Sequence, residues 1–306
     1  MMVLSRKSWR VKCMHRFFSW EIQHLPPCDP SSPKAPEWIT LCIRSINEEL
    51  GQLSMTSVGI VNLLGLWYRF LDFDQKSPHD FSLWRSIGLL TMDRMDQRPS
   101  LEEARGWYLQ FVQQRADVAA YIAGNLPVKS DTAMLYSLVE SVVFKQQAVQ
   151  EVLSDADPYW AENRVIVKRI VKDHLQQCSD QQQVLPFSPW TPVEKTPFAT
   201  LISGYVTSSP LYDEQLALHA HHWKLERIAL LDRVLIKMAL TEAQYLPEIP
   251  FAAMLSTYLD IANTYSTPKS ASFIHGIVAT LAAVKHEKKD DIEVAGAGIE
   301  PATFGL

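Results

Sequence analysis

Four groups of residues in this 306-residue sequence could do chemistry. The first is Lys269, Ser270 and Ser272, which follow Thr267 and Pro268. Thr267 fits an N-cap and Pro268 the first helical position, so Lys269 stands at the positive end of a helix dipole, where an anion is normally favoured. Free backbone N–H groups, a lysine and two hydroxyls at a helix start suit a phosphate; the plainer alternative is a solvated lysine with capping serines. The second is a run of cations at the N-terminus, Arg6, Lys7, Arg10, Lys12 and Arg16, with no acid before Glu21. It could meet nucleic-acid phosphates or be a solvated helix face. Trp9 lies inside it and either stacks on an unpaired base or, more commonly, packs in the core. The third is "HAHHW", with His219, His221 and His222; the spacing lacks the i, i+4 pair of helical metal sites, and no metal is expected. The fourth is Asp232, on an otherwise apolar helix. A buried carboxylate requires a partner, for which Arg227, Arg233 or a backbone donor are candidates; its expected role is structural.

The bulk composition narrows the classes. Hydrophobic residues make up 47% and charged residues 21%, enough for a core and too apolar for global disorder. Only 11 glycines occur, none in a phosphate-cradling pattern, which disfavours a nucleotide-binding enzyme. The net charge of −5 means that any nucleic-acid contact must come from a local basic patch. Cys13, Cys28, Cys42 and Cys178 form no C-x-x-C, so free thiols in a reducing cytoplasm are expected. The N-terminus has no long apolar run, and no window of 18 uninterrupted apolar residues occurs, so neither a signal peptide nor a membrane span is expected.

The elements that must position these groups read as helices throughout. A first helix over about 5–22 has Val11, Met14, Phe18 and Ile22 as its expected buried stripe. A proline-rich linker follows. Ile39, Ile43, Ile46, Leu50 and Leu53 predict one helix, and a second is expected over 57–71. Ser100 and Glu103 have capping-box spacing and open a helix to about 123. Ser130 or Asp131 is expected to cap the next, and Asp157–Pro158 to open another to about 177. After a second proline-rich linker come helices over about 198–219, 225–245 and 251–265, then the one that Thr267 and Pro268 open and that fades near 285. The fold class is all-α, a helical bundle. No internal repeat is visible, and the tail over 286–306 is expected to be disordered.

The C-terminal third resembles a known family. Trp223, Arg227, Ile228, Asp232 and Arg233, then Pro247, Ile249 and Pro250, then Ala262 and Tyr265, then Ser270, Phe273, Ile274 and Gly276 are similar to the pattern of the bacterial transcription antitermination factor NusB family. The basic N-terminal helix looks like that family's first helix. Two positions depart from the pattern: Ser256 and Thr257 stand where an Asn-Glu pair is usual, and His275 where Asn is usual.

The resemblance implies two packed helical subdomains. It implies an arrangement of a basic helix over 1–24, an inserted helical region over 25–125, a NusB-like domain over 126–285 and a tail over 286–306. It also implies a cytoplasmic factor that binds boxA-type RNA of ribosomal RNA leaders together with NusE, a small-subunit ribosomal protein, within an RNA-polymerase antitermination complex. Arg6, Lys7, Arg10, Lys269, Ser270 and Ser272 are then the candidate RNA contacts. No catalysis, cofactor, metal or membrane is implied. The alternative is a helical protein-binding scaffold that has kept the fold and lost RNA affinity, motivated by the net charge, the missing Asn-Glu pair and the large insertion. NusB-like domains also head some ribosomal-RNA methyltransferases, but those require a glycine-rich cofactor domain and catalytic cysteines that have no counterpart in these 306 residues.

Overall fold

The computed structural model describes residues 4–23, 34–71, 82–90, 99–123, 130–181, 183–185, 192–219 and 227–282. Among them every regular element is helical and there is no strand. The helices are α1 (Arg6–Gln23), α2 (Lys34–Phe70), α3 (Ser82–Leu90), α4 (Leu101–Trp107), α5 (Ala116–Ile122), α6 (Ser130–Leu138), α7 (Gln147–Ala156), α8 (Trp160–Asp180), α9 (Pro197–His219), α10 (Leu230–Tyr245), α11 (Phe251–Tyr265) and α12 (Ser270–Ala282). The expected tail and most of both proline-rich linkers lie outside the described residues. The chain divides into two compact units, one of Met1–Met2 and Glu48–Trp190, the other of Val3–Asn47 and Thr191–Leu306.

The two helices expected over 39–53 and 57–71 are one. Buried positions run Ile46, Leu50, Leu53, Ser57, Ile60, Leu64, Trp67 and Leu71, alternating four- and three-residue steps without a gap. Ser57 holds the bridging position because its hydroxyl donates to the Leu53 carbonyl at 2.8 Å, which satisfies it inside the stripe. By length and composition alone α2 could cross a membrane, with a mean hydropathy of 1.2, but 67% of that window is buried within the protein.

The unit of Glu48–Trp190 carries two copies of one local design. α4 passes into a five-residue π segment, Tyr108–Val112, then a reversal through extended Arg115 into α5. α6 passes into Val139–Val143, then a reversal through extended Gln146 into α7. Aligned on the π segments, Ala104 matches Leu135, Trp107 matches Leu138, Val112 matches Val143 and Val118 matches Val149, and all are buried. The capping box at Ser100 and Glu103 forms as expected, with bonds of 3.2 and 2.7 Å. Asp131 does something else: it accepts from the Leu83 N–H of α3 at 3.0 Å and from the Tyr121 hydroxyl at 2.5 Å. Asp157 accepts from the Tyr159 N–H at 2.9 Å and the Asn163 amide at 2.8 Å, and α8 starts at Trp160, two residues beyond Pro158. α3 meets α2 at Gly88, where a Cβ would stand 2.6 Å from the Tyr68 ring.

In the other unit α10 is central and packs against α1, α9 and α11. Every residue from Val234 to Glu242 is buried. Two stacked ring pairs lock α1 to α9: Trp9 on Phe198 at 4.8 Å and Phe17 on Tyr205 at 3.9 Å. Trp38 of α2 meets Phe17 and Trp20 at 5.9 and 4.4 Å. The buried face of α1 is therefore not the expected stripe. Val11 and Met14 are inside, but Phe18 is only part-buried and Ile22 is exposed, while Trp9, Arg10, Cys13, Phe17, Trp20 and Glu21 face the core. The reason is electrostatic as well as apolar, because both Arg10 and Glu21 find buried partners. Cys13, Cys42 and Cys178 are free and buried, and burial pushes the Cys42 thiol up to about 12.

Candidate nucleic-acid interface

The expected RNA contacts divide into exposed residues and interior ones. Arg6, Lys7, Lys269 and Ser272 are exposed. Lys7 Nζ lies 3.9 Å from the Asp260 carboxylate of α11, with both side chains largely in solvent, a pairing worth well under ~1 kcal/mol. α1 also touches the end of α11 through His15, edge-on to the Tyr265 ring at 6.0 Å. Tyr265 leads into the turn that carries Lys269, so α11 connects the basic start of α1 to the start of α12.

Arg10 is not available to a phosphate. It is 1% exposed, and its guanidinium grips the Glu242 carboxylate as a two-pronged fork, Nε to Oε2 at 2.8 Å and Nη2 to Oε1. The Tyr258 hydroxyl donates to Glu242 Oε2 at 2.7 Å, and the Tyr258 ring lies 5.4 Å from the guanidinium carbon. Burial works against the Arg10 charge, but the Glu242 bond and the Tyr258 contact outweigh it and its pKa is raised. Trp9 is likewise in the core and cannot stack on a base from there.

Ser270 is the second correction. It is 2% exposed, and its hydroxyl donates to Asp232 Oδ2 at 2.7 Å. Ser266 donates to Asp232 Oδ1 at 2.6 Å. The Thr267 N–H and hydroxyl both reach Ser270 Oγ, at 3.3 and 2.8 Å. Asp232 therefore has two serine hydroxyls as partners, not the arginines or the backbone donor expected for it. The Ser270 N–H returns to the Thr267 carbonyl at 2.9 Å, and α12 starts at Ser270, two residues beyond Pro268, with the Thr267 hydroxyl bonded to the Ser270 hydroxyl and not to a backbone N–H of the first turn.

A buried ionic cluster lies beside these contacts and had no sequence signal beyond its charges. Lys237, fully buried, donates to Glu21 Oε1, Asp213 Oδ2 and Ser209 Oγ, each at 2.8 Å. Tyr205 donates to the same Glu21 oxygen at 2.8 Å, and Arg233 stands 3.6 Å from the other. The pattern could have been suspected from one fact: Lys237 and Glu242 occupy buried-stripe positions of a helix whose other residues from Val234 to Leu240 are apolar.

Tyr205 and Tyr258 give the interior a pH dependence. Burial, and then the charge of Glu21 or Glu242, pushes both phenols well above their ordinary value. A raised native pKa means that the folded state holds its proton where the unfolded state, at ~10, has lost it. The stability they contribute is full below about pH 10 and is lost as pH rises beyond it. Urea unfolding across this range is expected to show a falling midpoint above that pH, with a shallower fall for Tyr258→Phe. A midpoint flat in pH would contradict the burial of both phenols.

Comparison with known proteins bears on α9–α12 and on most of α8. The NusB family model matches residues 165–283. These residues are similar to the NusB family. Proteins described as transcription antitermination protein NusB from Bacillus thuringiensis (strain Al Hakam), Bacillus cereus (strain AH187) and Bacillus anthracis (strain A0248) are each 32% identical to the chain over 82 residues. That stretch is 27% of this chain and 63% of each relative, so each NusB relative is less than half as long as this chain. No solved structure matches the chain significantly. Of the departures from the family pattern, Ser256 and His275 are exposed, and Thr257 turns its hydroxyl back to the Ala253 carbonyl at 2.9 Å. No cluster of metal-ligating side chains occurs among the described residues; the histidine group at 219–222 lies outside them but for the backbone of His219.

Proposed function

We propose that this chain is an RNA-binding transcription antitermination factor that acts on ribosomal RNA operons. In this reading it binds boxA-type leader RNA together with NusE and joins the RNA-polymerase antitermination complex in the cytoplasm. The observation that carries the proposal is the NusB-family match over 165–283, which includes the exposed Lys269 at the start of α12. Arg6, Lys7, Lys269 and Ser272 are the RNA contacts in this account. Arg10 and Ser270 act from inside, by holding the helices that present the others. Residues 25–125 are an added helical module. No catalytic step is assigned to the chain.

The chemistry is electrostatic. Exposed cations on α1 and Lys269 before the start of α12 neutralise phosphates and release counterions. Affinity for a single-stranded boxA-type RNA, measured by fluorescence anisotropy at several salt concentrations, is expected to fall linearly in log K against log salt. Lys269→Glu is expected to flatten that slope by about 0.7, the share of one phosphate that is no longer neutralised. Equal affinity and equal slope for wild type and Lys269→Glu would remove Lys269 from the interface. A wild type without salt-dependent binding would overturn the reading.

A further inference from the structure

We infer that Asp232 is a positioning residue for RNA, acting through Ser266 and Ser270 to hold the α11–α12 turn in the shape that presents Lys269. This rests on the reading just given. The turn between Tyr265 and Ser270 is four residues long, and its Ser266 and Thr267, with Ser270, bond to one another or to Asp232. Ser266 and Ser270 each donate to one oxygen of the carboxylate, at 2.6 and 2.7 Å, and their hydroxyls are 3.1 Å apart. Thr267 closes on Ser270 through both its N–H and its hydroxyl. Lys269 and Pro268 are exposed, carried on a frame whose side-chain bonds point inward.

Asp232 is itself buried in the first turn of α10, so the clamp is anchored to the central helix of the unit. The start of the α10 dipole favours a carboxylate there, but does not require that it reach the α11–α12 turn. Apolar residues fill the α10 positions around it, and a serine-bonded anion does not tie α10 to a cation as Glu242 does. Its two acceptors instead fix two points four residues apart, one on each side of Lys269. A carboxylate near a phosphate also carries a sign. By its field alone it would weaken RNA binding, so removing it should tighten the complex. Positioning predicts the reverse.

The test uses the full chain and a single-stranded boxA-type RNA, with the slope of log K against log salt as readout. Asp232→Ala is expected to flatten the slope by about 0.7, as Lys269→Ala does, because both release the same phosphate. Combined, the two substitutions are expected to cost no more than either alone. Asp232→Asn keeps an acceptor for one serine and offers an amide to the other, and is expected to restore the slope. Ser270→Ala repeats the test should Asp232→Ala fail to fold by circular dichroism. An unchanged slope, tighter binding, or additive losses with Lys269→Ala would overturn the inference while the RNA reading stands. A wild type without salt-dependent binding would overturn both.

Discussion

Arg10→Ala is expected to destabilise the unit of α1 and α9–α12 by about 3–5 kcal/mol, the cost of leaving a buried charge without its partner. Glu242 is fully buried, and Arg10 is its only cation among the described residues. After the substitution, Glu242 keeps the Tyr258 hydroxyl alone, and a neutral donor replaces little of what a two-pronged guanidinium supplies. Glu242→Ala should cost a similar amount, because it strands the guanidinium. Replacing both at once, Arg10→Met with Glu242→Leu, should recover much of the loss, since a well-packed apolar pair is often as stable as a buried ion pair. Denaturant unfolding, followed by amide exchange of α10, reads these values and their coupling. Single substitutions costing less than ~1 kcal/mol would show that Arg10 is solvated and return it to the candidate RNA contacts.

Lys237→Met is the second large effect, again about 3–5 kcal/mol. The ammonium binds Glu21, Asp213 and Ser209 at once, and its removal leaves two carboxylates facing each other, with Arg233 at 3.6 Å from Glu21 as the remaining cation. Lys237 joins three helices, α1 through Glu21, α9 through Asp213 and Ser209, and its own α10. Its loss should therefore loosen α1 as well as α9, and amides of α1 should exchange faster. RNA affinity should fall only as far as the folded fraction falls, with the salt slope unchanged, because Lys237 is fully buried and cannot reach a phosphate. A flatter slope with full stability would contradict this assignment.

Helix periods were legible where apolar spacing alone decides the buried face. α9 and α11 lie over 197–219 and 251–265 as the sequence indicated, and the capping box at Ser100 formed because its two residues need only each other. α1 was placed correctly as a helix but rotated. A sequence reading gives Arg10 and Glu21 to solvent, and their partners, Glu242 and Lys237, lie more than two hundred residues away. α2 was split because Ser57 reads as polar, although its hydroxyl can bond within its own helix. The repeated helix–π–helix design was invisible because its copies share burial more than residue type: Ala104 stands against Leu135 and Trp107 against Leu138.

The candidate site was legible in part for the same reason. Lys269 and the exposed start of α1 could be named from charge and position. That Ser270 turns inward could not, because nothing near it in sequence announces Asp232, 38 residues earlier, as its acceptor. Local physics left a phosphate and a solvated lysine both open at the start of α12, and the resemblance to the family favoured the phosphate.

The most direct test of the central claim is binding of boxA-type RNA against a scrambled sequence of equal length, with and without NusE, at one near-physiological salt concentration. The account predicts tighter binding of boxA-type RNA than of the scrambled strand, strengthened by NusE. Equal binding of the two RNAs with NusE present, or capture of NusE with no RNA affinity, would contradict it.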